Sequence, residues 1–87
     1  MNWRVYYLYS EKINKHYLGK TNNLKRRFKE YNNSEEKYTK VGVPWKLLGY
    51  IDCVDSKEAY SIENKLKKSK NKKYIQWYIK QYGIIII

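Results

Sequence analysis

From residue 3 to residue 9, Trp3, Val5, Tyr7 and Tyr9 alternate with Arg4, Tyr6 and Leu8. A period of two in aromatic and β-branched residues predicts a strand. Polar Glu11-Lys12-Ile13-Asn14 suits a hairpin connection, and Lys15 to Lys20 predicts a second strand, antiparallel to the first, around Tyr17-Leu18-Gly19. The period then changes. Leu24, Phe28 and Tyr31 recur at i, i+4 and i+7, the spacing of one helix face. Thr21, Asn22 and Asn23 offer N-caps, and Asn32-Asn33-Ser34 ends the segment. On this helix Lys25, Arg26 and Lys29 point away from the apolar stripe. Arg27 lies beside it, about 60° from Leu24 at 100° per residue.

Ser34 to Pro44 is a polar, basic connection, and Trp45 to Val54 predicts a third strand. Asp55-Ser56-Lys57-Glu58 has the pattern of a capping box, with Asp55 as N-cap and Glu58 reaching back. The helix it opens carries Ala59, Ile62 and Leu66 on one face. A lysine run follows (Lys65, Lys67, Lys68, Lys70, Lys72, Lys73), and then Tyr74, Trp77, Tyr78 and Tyr82 at helical spacing up to Gly83. Ile84 to Ile87 fits no pattern; covering the core, packing on another chain and forming an exposed sticky end all stay open. The order β-β-α-β-α-α predicts an α+β fold, a small three-stranded antiparallel sheet flanked by about three helices. Residues 1–87 are expected to form a single domain.

Composition narrows the function. Nineteen Lys and Arg against 8 Asp and Glu give a net charge of +11. An excess of that size predicts attraction to a polyanion, nucleic acid first. An aromatic content of 17%, with 11 Tyr and 3 Trp, argues for a packed core rather than disorder. A mean hydropathy of −0.90 and the lack of a long apolar run exclude a membrane-spanning helix. No signal peptide is visible, and Cys53 has no second cysteine for a disulfide or a cysteine zinc site. The expectation is a cytoplasmic, nucleic-acid-associated protein.

Three blocks carry a resemblance. Val5-Tyr6, Tyr17-Leu18-Gly19 with Arg27 ten positions after Tyr17, and Glu58-Ala59-Tyr60-Ser61-Ile62-Glu63 together resemble the GIY-YIG nuclease superfamily, its short single-domain bacterial branch most of all. The resemblance covers most of the chain. It implies a DNA endonuclease of little sequence specificity, cutting phosphodiester bonds with one divalent cation, Mg²⁺ or Mn²⁺. Position by position it implies Tyr6 and Tyr17 as the motif tyrosines, Gly19 as the motif glycine, and Arg27 as the helix arginine. Glu63 becomes the metal ligand and Lys20 a site lysine. Tyr31 stands where many relatives have histidine. It either hydrogen-bonds a nucleophile or phosphate or completes the Leu24-Phe28 stripe. Arg4 replaces the first motif's glycine, and Asn71 is a weak counterpart of the downstream asparagine.

The residues themselves support part of this. If Leu8 faces Tyr17 and Tyr6 faces Gly19 across the hairpin, Tyr6 and Tyr17 share a face as diagonal neighbours, roughly 7–8 Å apart at Cα. Gly19 would then leave room for a phosphate backbone. Arginine suits bidentate contact with a phosphoryl group. Helical periodicity does not choose between Glu58 and Glu63, which flank the same stripe. A single carboxylate holds Mg²⁺ weakly, so water and substrate phosphate must complete the shell. A tyrosine acting as general base needs cations nearby, because its ordinary pKa is about 10; whether that base is Tyr17 or Tyr6 stays open. Lys20, Arg26, Lys65, Lys68, Lys70 and Lys72 are the candidate DNA contacts. Duplex, branched and single-stranded DNA are all compatible partners, and the oligomeric state is unknown. Two other readings compete: a nucleic-acid-binding module with a decayed site, and a membrane-surface or interaction protein using the basic face and the isoleucine tail.

Overall fold

The computed structural model describes residues 2–33 and 40–86. Part of the connection expected between Ser34 and Pro44 therefore lies outside the described residues, as does Ile87. Strands β1 (Trp3–Ser10) and β2 (Lys15–Thr21) form the expected hairpin. Its connection includes Asn14 at φ 50°, a left-handed conformation that asparagine tolerates better than most residues. The Tyr9 hydroxyl donates to the Asn14 side chain at 3.0 Å. Helix α1 (Leu24–Asn32) is capped by Asn23, whose Oδ1 accepts from the Arg26 N–H at 3.1 Å. Strand β3 (Lys46–Cys53), helix α2 (Ser56–Ser69) and helix α3 (Lys72–Tyr82) follow.

The sheet is antiparallel throughout, in the order β2-β1-β3-β4. Its fourth strand, β4 (Ile84–Ile85), corrects the expectation of three. Gly49 pairs with Ile85 and Tyr50 with Ile84, and the Ile86 N–H donates to the Leu48 carbonyl at 2.8 Å. The described part of the isoleucine tail thus adds an edge strand to the sheet, a role not among those considered from sequence, and its side chains stay exposed.

Helices cover both faces of the sheet. One face packs Tyr6 and Leu8 with Leu24, Tyr31 and Trp45, beneath α1. The other packs Val5, Tyr7, Leu18, Ile51 and Cys53 with Ala59, Leu66, Ile75 and Ile79 of α2 and α3. This explains why Val5, Tyr6, Tyr7 and Leu8 are buried in succession instead of alternating with exposed residues.

Asp55 caps α2 as expected, its Oδ1 accepting from the Glu58 N–H at 2.8 Å. The return bond differs from the expected box. Glu58 Oε1 accepts from the Val54 N–H at 3.2 Å, one residue before the cap. Glu58 is thus spent on the helix terminus, which leaves Glu63 as the carboxylate available for other work.

Candidate active site

The hairpin register places Gly19 opposite Tyr6 and Tyr17 opposite Leu8, so both tyrosines point to the α1 face. A one-residue slip would send one of each pair to the far side. From α1, Tyr31 and Arg27 come down on the same spot. The Tyr6 and Tyr31 hydroxyls are hydrogen-bonded at 3.1 Å inside the core. Tyr31 also packs on Tyr17 (5.3 Å between ring centroids) and Trp45 (6.2 Å). The Arg27 guanidinium lies 5.1 Å from the Tyr31 ring centre, and its Nη1 donates to Glu30 at 3.2 Å. A hydrogen bond with the Tyr6 side chain, first, and then Glu30 strengthen its hold on its proton, outweighing the opposing effect of burial. Burial, chiefly, and hydrogen bonding to Tyr6 push the Tyr31 phenol well above its ordinary value, so it stays protonated. Tyr31 thus completes the apolar stripe, and its hydroxyl is bonded to a motif tyrosine, Tyr6.

Gly19 departs from expectation. The space above it is not left for a phosphate backbone. A Cβ there would overlap the Tyr6 hydroxyl and Cζ, because the Tyr6 ring lies across the glycine. The missing side chain accommodates the motif tyrosine itself.

Lys20 and Glu63 lie on the other side of the pleat. Successive residues of a strand face opposite ways, so Lys20, next to Gly19, is turned towards α2. There its Nζ is 3.5 Å from Glu63 Oε1, and Lys67 Nζ is 3.7 Å from Oε2. Glu63 is buried, with 8% of its surface exposed. The candidate residues thus form two groups on either side of β2, an outer strand of the sheet. Tyr6, Tyr17, Tyr31 and Arg27 make one cluster, and Lys20 and Glu63 make the other.

The candidate DNA contacts are dispersed. Lys65, Lys68, Lys70 and Lys72 are exposed on α2, α3 and the turn between them. Lys65 Nζ sits 5.2 Å from the Tyr78 ring centre. Arg26 is on the outer face of α1, where it pairs with Glu30 at 3.8 Å. Asn71 is the N-cap of α3, accepting from the Tyr74 N–H at 3.1 Å. Arg4, the motif departure, pairs with Asp52 at 2.8 Å and stacks over Tyr50. Two neighbours of the site were not singled out from sequence, Glu30, which orients Arg27, and Tyr60, whose ring lies 5.4 Å from Lys20 Nζ; Lys67, read only as part of the lysine run, faces Glu63. Glu30 and Lys67 sit at i+3 and i+4 from a candidate residue, and that spacing was the available signal.

The family model of the GIY-YIG catalytic domain matches residues 2–76. The chain belongs to the GIY-YIG family. Membership gives it a nuclease-type function in general terms, and the match takes in all six candidate residues. Comparison with curated proteins and with solved structures gave no significant match. The matched GIY-YIG stretch ends within α3, so β4 lies beyond it.

GIY-YIG nucleases are generally dependent on a divalent metal. Among the described residues no group of three or more His, Cys, Asp or Glu side chains converges. Glu63 offers one hard carboxylate, buried, with lysines that a phosphate would attract. Mg²⁺ and Mn²⁺ accept such a donor set, because hard cations keep several waters and take one or two carboxylates plus substrate oxygens.

Proposed function

We propose that this GIY-YIG domain is a DNA endonuclease that hydrolyses phosphodiester bonds with one divalent cation and little sequence preference. The observation that carries the reading is the buried Tyr6–Tyr31–Arg27 network beside a more accessible Tyr17. Tyr6 and Tyr31 are 2% and 1% exposed, whereas Tyr17 is only half-buried. Attacking water has access to Tyr17, which favours Tyr17 over buried Tyr6 as the group that takes the proton, a role a tyrosine fills only as its phenolate. Tyr6 and Tyr31 serve as its support. Arg27, held charged by Tyr6 and Glu30, binds a non-bridging phosphate oxygen and stabilises the charge that develops there. Glu63 would hold the cation, which supplies Lewis-acid stabilisation of the phosphate and the leaving 3′ oxygen. Lys20 and Lys67 bind substrate phosphates. Among the described residues no base-reading element accompanies these groups, and the surface lysines provide affinity independent of sequence.

The test is cleavage of plasmid, branched and single-stranded DNA with Mg²⁺, Mn²⁺ or EDTA. Cutting is expected only with metal, and Glu63→Gln and Tyr17→Phe should each slow it by about 100-fold or more. Binding without cutting on every substrate would replace this reading with that of a binding module.

A further inference from the structure

A groove of about 410 Å³ lies beside α3, over the sheet face opposite the tyrosine cluster. Its size is within the range of small-ligand sites. Leu48 and Ile85 give it apolar surface, Trp77 an aromatic wall and Gln76 an amide, and Tyr7 lines it too. Lys73 and Lys80 complete the lining, seven residues and so about 10.5 Å apart along the helix. One feature is unusual for a plain surface. Trp77 is 50% exposed, although a tryptophan on a small protein has much to gain from burial.

We propose that this groove binds an unpaired nucleobase, stacked on Trp77, with the flanking phosphates of the same strand on Lys73 and Lys80. Charge and shape select this occupant. An apolar partner would leave two lysines facing it. Duplex DNA buries its base faces in the stack and presents none to Trp77. A single strand offers a π-face and phosphates together, the combination that non-specific single-strand sites use. The polar edge of the base meets the Gln76 amide. The aromatic surface continues from Trp77 to Tyr74, 6.0 Å away and stacked, and to Tyr82 at 6.4 Å. Tyr82 is itself well exposed. A second base therefore has a neighbouring platform. The proposal rests on the nuclease reading only in taking nucleic acid as the partner, and it makes unpaired DNA the preferred substrate.

The test is binding in EDTA, where no cleavage is needed. Oligothymidylate and a duplex of equal length are titrated while tryptophan emission is followed. Trp45 is buried and Trp3 half-buried, so Trp77 is the residue open to quenching. Oligothymidylate should quench the emission and bind more tightly than duplex. Read by the anisotropy of an end-labelled oligonucleotide, because these variants lack the reporter tryptophan, Trp77→Leu should weaken single-strand binding about tenfold and leave duplex binding nearly unchanged, and Trp77→Phe should restore part of the loss. Thermal melts of each variant control for folding. Equal affinity for both DNA forms, or equal loss on both in Trp77→Leu, overturns the proposal. So does a monomer–dimer equilibrium that Trp77→Leu abolishes, or a blue shift on anionic vesicles but not on DNA. Any of these outcomes leaves metal-dependent cleavage of duplex by Tyr17 and Glu63 untouched, so the two readings fail separately.

Discussion

Arg27 is placed by three neighbours at once: Tyr6, Glu30 and the Tyr31 ring. A planar fork fits that pocket and a point charge does not. Arg27→Lys should therefore keep the fold, seen as an unchanged melting temperature to within a few degrees, and lower the cleavage rate by about 100-fold. An equal loss of stability and rate would mean that Arg27 is only structural. Tyr31 makes a second residue-level prediction, through pH. Burial raises its folded pKa above the ordinary 10.0, and burial does the same to Tyr7. In the unfolded chain both ionise near pH 10, while in the folded chain both keep their protons. Stability is thus fully present below pH 10 and falls as pH rises above it, by at most about 1.4 kcal/mol per pH unit for each group. Tyr31→Phe should remove its share. Thermal unfolding between pH 8 and 11 should show a shallower alkaline decline in that variant than in the parent. The variant should also be less stable at pH 8 by about 1 kcal/mol, through loss of the bond to Tyr6.

At the scale of elements, the β1–β2 hairpin decides whether a site exists. Its register was legible only in part: alternation excludes a one-residue slip, which would part Tyr6 from Tyr17, but a slip of two keeps every facing, so the pairing Tyr6–Gly19 had to be supposed and is fixed by the turn. The helices were legible for a similar reason, since Leu24-Phe28-Tyr31 and Ala59-Ile62-Leu66 each mark a single stripe. Strand β4 was not, because four consecutive isoleucines carry no period and a two-residue strand is fixed by its partner rather than by its own pattern. The role of Gly19 was also hidden. The atom that needs its space belongs to Tyr6, thirteen positions earlier, and a glycine reads the same beneath a ring as beneath a phosphate. That difference is testable. If Gly19 makes room for Tyr6, Gly19→Ala displaces the ring, breaks the Tyr6–Tyr31 bond and destabilises the protein by about 1–3 kcal/mol, with activity lost alongside. If it only admits substrate, stability stays at the parent value and KM alone rises. Chemical denaturation together with steady-state cleavage separates the two outcomes.

For the whole molecule, a charge of +11 works against cation binding and in favour of phosphate binding. The conflict is sharpest at Glu63, whose two oxygens each face a lysine. Those ammonium groups repel a divalent ion as long as they have no other partner. A DNA phosphate supplies one, drawing Lys20 and Lys67 towards itself and leaving the carboxylate to the metal. Metal and DNA should then bind with positive coupling, and by reciprocity each improves the other's affinity by the same factor. Mg²⁺ or Mn²⁺ alone should scarcely shift the melting temperature, since a ligand present near or below its Kd stabilises very little. With a non-hydrolysable phosphorothioate oligonucleotide present, the apparent metal affinity should rise by about 5- to 150-fold. Metal should tighten the oligonucleotide equally, and Glu63→Gln should abolish both effects. Lys67→Gln makes the sharpest case. Removing one repelling charge should raise the affinity for metal in the absence of DNA, while the coupling shrinks. If Lys67→Gln instead weakens metal binding without DNA, the lysines support the carboxylate rather than guard it, and Glu63 is an ion-pair residue of the α2–β2 contact.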